Sequence, residues 1–241
     1  MIHKPKFLVF LALSVIVIIP SVMGAAFFQE ESELVVDGVF EENFEDDFWD
    51  RGWESLVMIG NPNGNFLNLG RKRLSFIYPQ TETFVMLVNE VPSLPDVKVE
   101  ATFENIRSTV ATYAIMCRYS EDGWYELRIG VTGSEAGSYK LMKYDAYLKD
   151  QYKNPYVLLH KNMDRYFTGD IKLGINVKNK LGLLCEGDEF RIYINDKEQF
   201  PVKNGKITDD QFEEGGVGFS AQSYGNGLAE IDITKFNAAV P

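Results

Sequence analysis

The chain has 241 residues, 45% of them hydrophobic and 24% charged, with a formal net charge of −11 at pH 7. That acidity leaves no electrostatic footprint for nucleic acid and suits anionic membrane surfaces poorly. Cys117, Cys185 and His160 are the soft ligands beyond the N-terminal stretch, so a four-ligand zinc site is out of reach without carboxylates.

The N-terminus reads as an export signal. Lys4 and Lys6 precede an apolar run from Phe7 to Ile19, interrupted by Ser14. Pro20 breaks the run, and Gly24, Ala25 and Ala26 supply the small residues a signal peptidase needs. The competing reading is a retained anchor: no charge occurs from Phe7 to Phe28, and roughly 20 apolar residues span a bilayer. The basic flank holds the N-terminus inside in both cases, so the bulk of the chain is expected outside, extracellular or in the cell envelope. A membrane is then a partner only through this segment, if it stays uncleaved. Residues 1–26 are therefore read as signal peptide or anchor, 27–39 as an acidic spacer and 40–241 as one domain.

Glu41, Glu42, Glu45, Asp46, Asp47 and Asp50 alternate loosely with Phe40, Phe44, Phe48 and Trp49, and these aromatics are expected to enter the fold. Strand patterns follow. Val97, Val99, Ala101 and Phe103 alternate with Lys98, Glu100 and Thr102. Tyr113, Ile115, Cys117 and Tyr119 fall on one face, with Ala114, Met116 and Arg118 on the other. Tyr125, Leu127 and Ile129 alternate with Glu126 and Arg128, and Phe190, Ile192 and Ile194 with Arg191 and Tyr193. In the last strand Ile231 and Ile233 are in phase but Phe236 is not, which predicts a bulge near Lys235. Gly130, inside a strand pattern, also reads as a bulge. Turn signals at Asn61–Asn65, Glu121–Gly123, Thr132–Gly137, Glu186–Asp188 and Asn195–Asp196 separate short strands, with no convincing amphipathic helix. Residues 145–168 look like an irregular surface excursion. Cys117 and Cys185, an even pair in an exported chain, read as a disulfide, with two buried thiols as the alternative.

The order of five segments carries a family resemblance: CRYSEDGWYELRIG, GSYKLMKYDA, IKLGINVKNKLGLLCEGDEFRIYINDKE, FEEGGVGFSAQ and AEIDITKFNA. The series resembles the secreted laminin-G-like, concanavalin A-like modules of bacteria, relatives of the 3-keto-disaccharide hydrolase-type domain. FEENFEDDFWDRGWE, ending in Gly52-Trp53, is similar to that family's opening strand. The resemblance spans roughly residues 40–240. It implies an all-β fold, a two-sheet antiparallel jelly-roll sandwich, and places a cysteine pair at Cys117 and Cys185. It does not fix a function, because such modules bind glycans, bind proteins or act on carbohydrates.

Catalytic patterns are incomplete. Glu230-Ile231-Asp232 resembles the start of a laminarinase-type acid motif, but Thr234 and Lys235 stand where its further carboxylate belongs. His160 has no nucleophile motif beside it and reads as a surface residue. Calcium is a cofactor candidate through the oxygens of Glu41–Asp50 or Asn61–Asn65, though neither has the spacing of a defined calcium loop. A sugar site needs aromatic platforms beside hydrogen-bonding groups. Arg118, Trp124, Glu126, Arg128 and Tyr193 alternate away from the apolar positions, with Tyr144 and Tyr147 at their edge. The competing reading is that these side chains are packing. The leading expectation is a non-catalytic module whose partner is a glycan, or else an extracellular protein. A tethered accessory subunit and an enzyme acting on modified sugars are the alternatives.

Overall fold

The computed structural model describes residues 39–45, 47–79, 81–90, 93–108, 110–160, 164–201, 206–225 and 227–241. The signal-or-anchor segment and nearly all of the acidic spacer lie outside them. Among the described residues no helix is long and apolar enough to cross a membrane.

The strands in chain order are β1 (Val39–Glu42), β2 (Glu54–Ile59), β3 (Leu67–Leu69), β4 (Leu74–Tyr78), β5 (Glu82–Asn89) and β6 (Val97–Arg107). They continue with β7 (Ala111–Ser120), β8 (Gly123–Gly130), β9 (Ser138–Asp145), β10 (Tyr156–Leu158), β11 (Tyr166–Phe167) and β12 (Val177–Glu186). The last are β13 (Glu189–Ile194), β14 (Lys197–Gln199), β15 (Ile207–Thr208), β16 (Gly216–Tyr224) and β17 (Ala229–Ala239). One α-helix, α1 (Ala146–Asp150), follows β9.

These strands form two antiparallel sheets, as the jelly-roll reading requires. The first runs β14-β13-β12-β6-β17-β4-β3, with β1 added on β17 and β15 on β13. The second runs β10-β9-β8-β7-β16-β5-β2, with β11 added on β9. Period-two alternation decides what each strand buries. In β6, Val97, Val99, Ala101 and Phe103 enter the space between the sheets, and Lys98, Glu100, Thr102 and Glu104 stay half-exposed. Asn195 and Asp196 both take positive φ, the geometry of a two-residue hairpin turn, and join β13 to β14.

Cys117 on β7 and Cys185 on β12 form a disulfide that joins the two sheets across a separation of 68 residues. In the chain-entropy account such a closure stabilises by about 4 kcal/mol. The predicted bulge in β17 falls between Ile233 and Lys235. It returns Phe236 to the core against Trp53, at 5.2 Å between ring centroids, and Phe219, at 5.4 Å.

Four local expectations change. A bulge in β7 between Cys117 and Ser120 puts Arg118 at φ 53° and turns Tyr119 out of the core, so the alternation read through Tyr119 fails there. Gly130 ends β8 without a bulge; a Cβ there would stand 2.2 Å from the Glu135 carbonyl oxygen, and that close approach is its reason. His160 is buried, its ring edge-on to Tyr166 at 4.5 Å, and is no surface residue. Residues 145–168 hold α1, β10 and β11, and both strands pair with β9.

Candidate functional site

The outer face of the second sheet does not have the polar character of a solvated face. A second apolar cluster, apart from the core between the sheets, gathers Phe84, Met86, Val88, Met116, Tyr119, Trp124 and Tyr144 there, with Leu56, Met58 and Tyr156 packed against it. Alternation explains the membership: as Tyr125, Leu127 and Ile129 point inward from β8, Trp124, Glu126 and Arg128 must point outward. Gly218 sits in the middle of this face, where a Cβ would meet the Leu87 carbonyl oxygen at 2.6 Å and Met116 Cε at 3.1 Å. The missing side chain is what lets Met116 lie across the sheet.

Register places three aromatics side by side. Trp124 on β8 is opposite Tyr144 on β9, and Tyr144 is opposite Tyr156 on β10. The Trp124 and Tyr144 rings stack at 4.0 Å and 7°, and Tyr156 meets Tyr144 edge-on at 5.2 Å. A polar chain runs beside them. Trp124 Nε1 donates to Glu126 Oε2 at 3.0 Å, and Glu126 Oε1 lies 2.6 Å from Arg128 Nη2. Arg128 Nη1 donates to Gln222 Oε1 at 3.1 Å, and Gln222 Nε2 to Glu82 Oε1 at 3.4 Å. The Arg128 guanidinium also lies over the rings of Phe84, at 5.0 Å, and Tyr156, at 5.2 Å.

Burial, the largest influence, works against the Arg128 charge, but the Glu126 carboxylate together with Tyr156 and Tyr224 outweighs it and lifts the pKa above the ordinary arginine value. Burial first, and Glu126 second, push the Tyr156 phenol upward, so it stays a neutral hydroxyl near neutral pH. Glu126 is fully buried, Trp124 is 3% exposed, and Tyr156 and Arg128 form the partly open margin.

Of the residues singled out from sequence, Trp124, Glu126, Arg128 and Tyr144 thus come together. Arg118 does not. Its bulge conformation carries it to one end of the sandwich, where it donates to the carbonyls of Pro95 (2.9 Å), Phe212 (3.1 Å) and Gly187 (2.7 Å). Burial pulls its pKa below the ordinary value. It ties loops together and does not line the face. Tyr193 lies on β13 of the first sheet, beneath Lys98 Nζ at 5.0 Å. Tyr147 stands exposed on α1. Sequence reasoning missed Phe84, Met86, Tyr156 and Gln222. A signal existed for the first two: Phe84 to Val88 is unbroken apolar sequence, which marks a strand covered on both faces.

The acidic candidates are used otherwise. Glu42 is buried, accepting from the Phe44 amide (2.6 Å) and Trp53 Nε1 (3.1 Å) and paired with Arg51. Burial raises its pKa. Asp232 is buried on β17 of the first sheet, 2.9 Å from Arg73 Nη1. Among the described residues no group of three or more His, Cys, Asp or Glu is arranged to hold a metal ion.

Comparison with solved structures bears on this sandwich directly. The carbohydrate-binding module CBM66 from Bacillus subtilis superposes with a TM-score of 0.54 at 17% identity, covering 78% of this chain and 95% of its own. A β-glucanase from Bacillus licheniformis gives 0.53 at 10%, covering 84% and 98%. The potassium-bound carbohydrate recognition domain of Emp46p gives 0.55 at 12%, covering 82% and 94%. No protein-family profile matches the chain, and no curated protein matches it by sequence. At these identities the likeness establishes the fold: a jelly-roll sandwich of the kind found in carbohydrate-binding modules and glucanases.

Proposed function

We propose that this protein is an exported, non-catalytic module that binds a carbohydrate on the outer face of its second sheet. The observation that carries the reading is the in-register row Trp124, Tyr144 and Tyr156 with Glu126, Arg128 and Gln222 hydrogen-bonded alongside. A sugar ring has an apolar face and a polar rim, and this row offers rings beside fixed donors and acceptors. The ligand meets the open margin, Tyr156 and Arg128, while Trp124 and Tyr144 support it from beneath. The carbohydrate-binding neighbours support the ligand class. The Cys117–Cys185 disulfide and the N-terminal sequence support an oxidising compartment outside the cell.

Hydrolysis is disfavoured by geometry. Glycosidases work with a pair of carboxyl groups flanking one bond. Both oxygens of Glu126 are engaged, by Trp124 and Arg128, and Asp232 belongs to the other sheet. A glycan array followed by calorimetry on the best hit tests the reading, run with and without calcium. Wild type should bind a glycan, and Tyr156→Ala should weaken binding at least about tenfold, the loss of the aromatic ring at the open margin. Silence of the wild type across the array in both arms would sink it.

A further inference from the structure

The row of rings does not stop at Trp124. Tyr119 on β7 meets it at 5.7 Å between centroids, so the rings run Tyr156, Tyr144, Trp124, Tyr119 across β10, β9, β8 and β7. At that end of the row Tyr119 lines a cleft of about 410 Å3 with Glu90, Glu121, Glu214 and Gly216. Gly216 is paired with Tyr119, and a Cβ on it would stand 2.2 Å from the Asn89 carbonyl oxygen, so no side chain fills the floor. The three carboxylates are exposed, and none makes an ion pair or hydrogen bond among the described residues. Tyr119 is 8% exposed, yet its hydroxyl also has no hydrogen-bond partner among them. Burial first, and then Glu90, Glu121 and Glu54, raise the pKa of this phenol, which puts a protonated hydroxyl in a negative field. Arg118, the preceding residue, is committed elsewhere, to three carbonyls and to Asp96 at 3.6 Å.

We propose that the glycan bound on this face carries a free amine, and that the cleft at Tyr119 takes its ammonium group, as in an oligomer of glucosamine. An ammonium donates three hydrogen bonds, so it can reach carboxylates and the Tyr119 oxygen together. A buried hydroxyl without a partner is costly, and a ligand that supplies one removes the cost. A metal ion is a poorer occupant, because among the described residues no three acids are arranged to hold one. A sugar is favoured over a basic peptide because the cleft continues the row of rings, so an oligosaccharide laid from Tyr156 along Tyr144 and Trp124 arrives at Tyr119. N-acetylation removes the positive charge, and the acetylated sugar then gains nothing from the acids. Amine selection at Tyr119 rests on carbohydrate binding along the Trp124 row and names the class of sugar bound there.

The test is calorimetry on the full chain with two probes, the tetramer of β-1,4-linked glucosamine and its fully N-acetylated counterpart, at a pH where the amine is protonated. At low ionic strength wild type should bind the amine form at least about fivefold more tightly, the sum of several exposed ion pairs that are each weak. Added salt should shrink that ratio. The triple variant Glu90→Gln, Glu121→Gln, Glu214→Gln should bring it to about one, with a thermal transition that reports an intact fold. Tyr119→Phe keeps the ring and should weaken the amine form by about threefold, the loss of one hydrogen bond. Asp164→Asn with Glu198→Gln removes exposed acids away from the cleft and should leave the ratio as it is. Equal binding of the two tetramers by wild type overturns amine selection and leaves the carbohydrate site standing. Binding of neither overturns it too, and the glycan array then decides whether the carbohydrate site falls with it. A ratio that survives the triple variant, or falls equally in the remote pair, also overturns it. So does tight binding of oligolysine, unaffected by Tyr156→Ala, in place of either sugar.

Discussion

Strand β8 sends Tyr125, Leu127 and Ile129 into the space between the sheets and Trp124, Glu126 and Arg128 to the outside, so one strand builds two buried surfaces of different character. The inner one is apolar almost throughout, and its tyrosine hydroxyls have fixed partners: Tyr78 donates to the Ala221 carbonyl, and Tyr125 to Asp209. The outer one encloses a carboxylate and a guanidinium 2.6 Å apart among methionines and aromatics. A buried ion pair is a poor way to stabilise a sheet face, since apolar residues of similar volume do as well or better. The inner surface therefore reads as a device for stability and the outer one, on the proposed function, as the face that would select a ligand.

Substitutions can break that contrast. Phe219 is fully buried among Phe44, Trp53, Phe76 and Phe236. Phe219→Ala should cost about 4 kcal/mol in denaturant unfolding, the largest effect, and leave any glycan affinity of the folded fraction intact. Glu126→Leu should cost less, about 2 kcal/mol, by stranding the Arg128 charge, which can still reach water at the margin. Adding Arg128→Met should restore most of that stability while glycan binding stays lost. If the double variant remained as unstable as the single one, the outer pair would be structural after all.

The smallest expected effect depends on pH. Burial works against the Asp209 carboxylate, but Lys143 Nζ at 2.7 Å and the Tyr125 hydroxyl at 2.7 Å prevail and hold its pKa below the ordinary 3.8. A depressed folded-state pKa means the unfolded chain binds the proton more readily, so the contribution is present above pH 3.8 and fades as pH falls below it. Asp209→Asn should remove on the order of 1 kcal/mol near neutral pH and almost nothing at the acid limit. Denaturant midpoints at a neutral and a strongly acidic pH would measure it, and an equal loss at both would refute the assignment.

The sandwich was legible because its core strands alternate and its turns carry turn residues. Even the β17 bulge showed as Phe236 falling out of phase. The site was legible only in part. Trp124, Glu126 and Arg128 were found because alternation survives along β8. Arg118 and Tyr119 were misplaced because nothing in the letters marks a bulge that puts an arginine at positive φ. Tyr193 looks equivalent to them in sequence because period two tells which face of a strand a residue takes, not which sheet the strand joins. Phe84 and Met86 carry no period-two signal, because a strand buried on both faces does not alternate.

The link between β7 and β12 has a consequence for how the chain matures. Cys117 and Cys185 are its only cysteines, so there is a single intramolecular pairing. Closing the bond therefore requires an oxidant but no shuffling of wrong partners. Production in a reducing host should yield a thiol form that a mild oxidant converts in one step, without an isomerase.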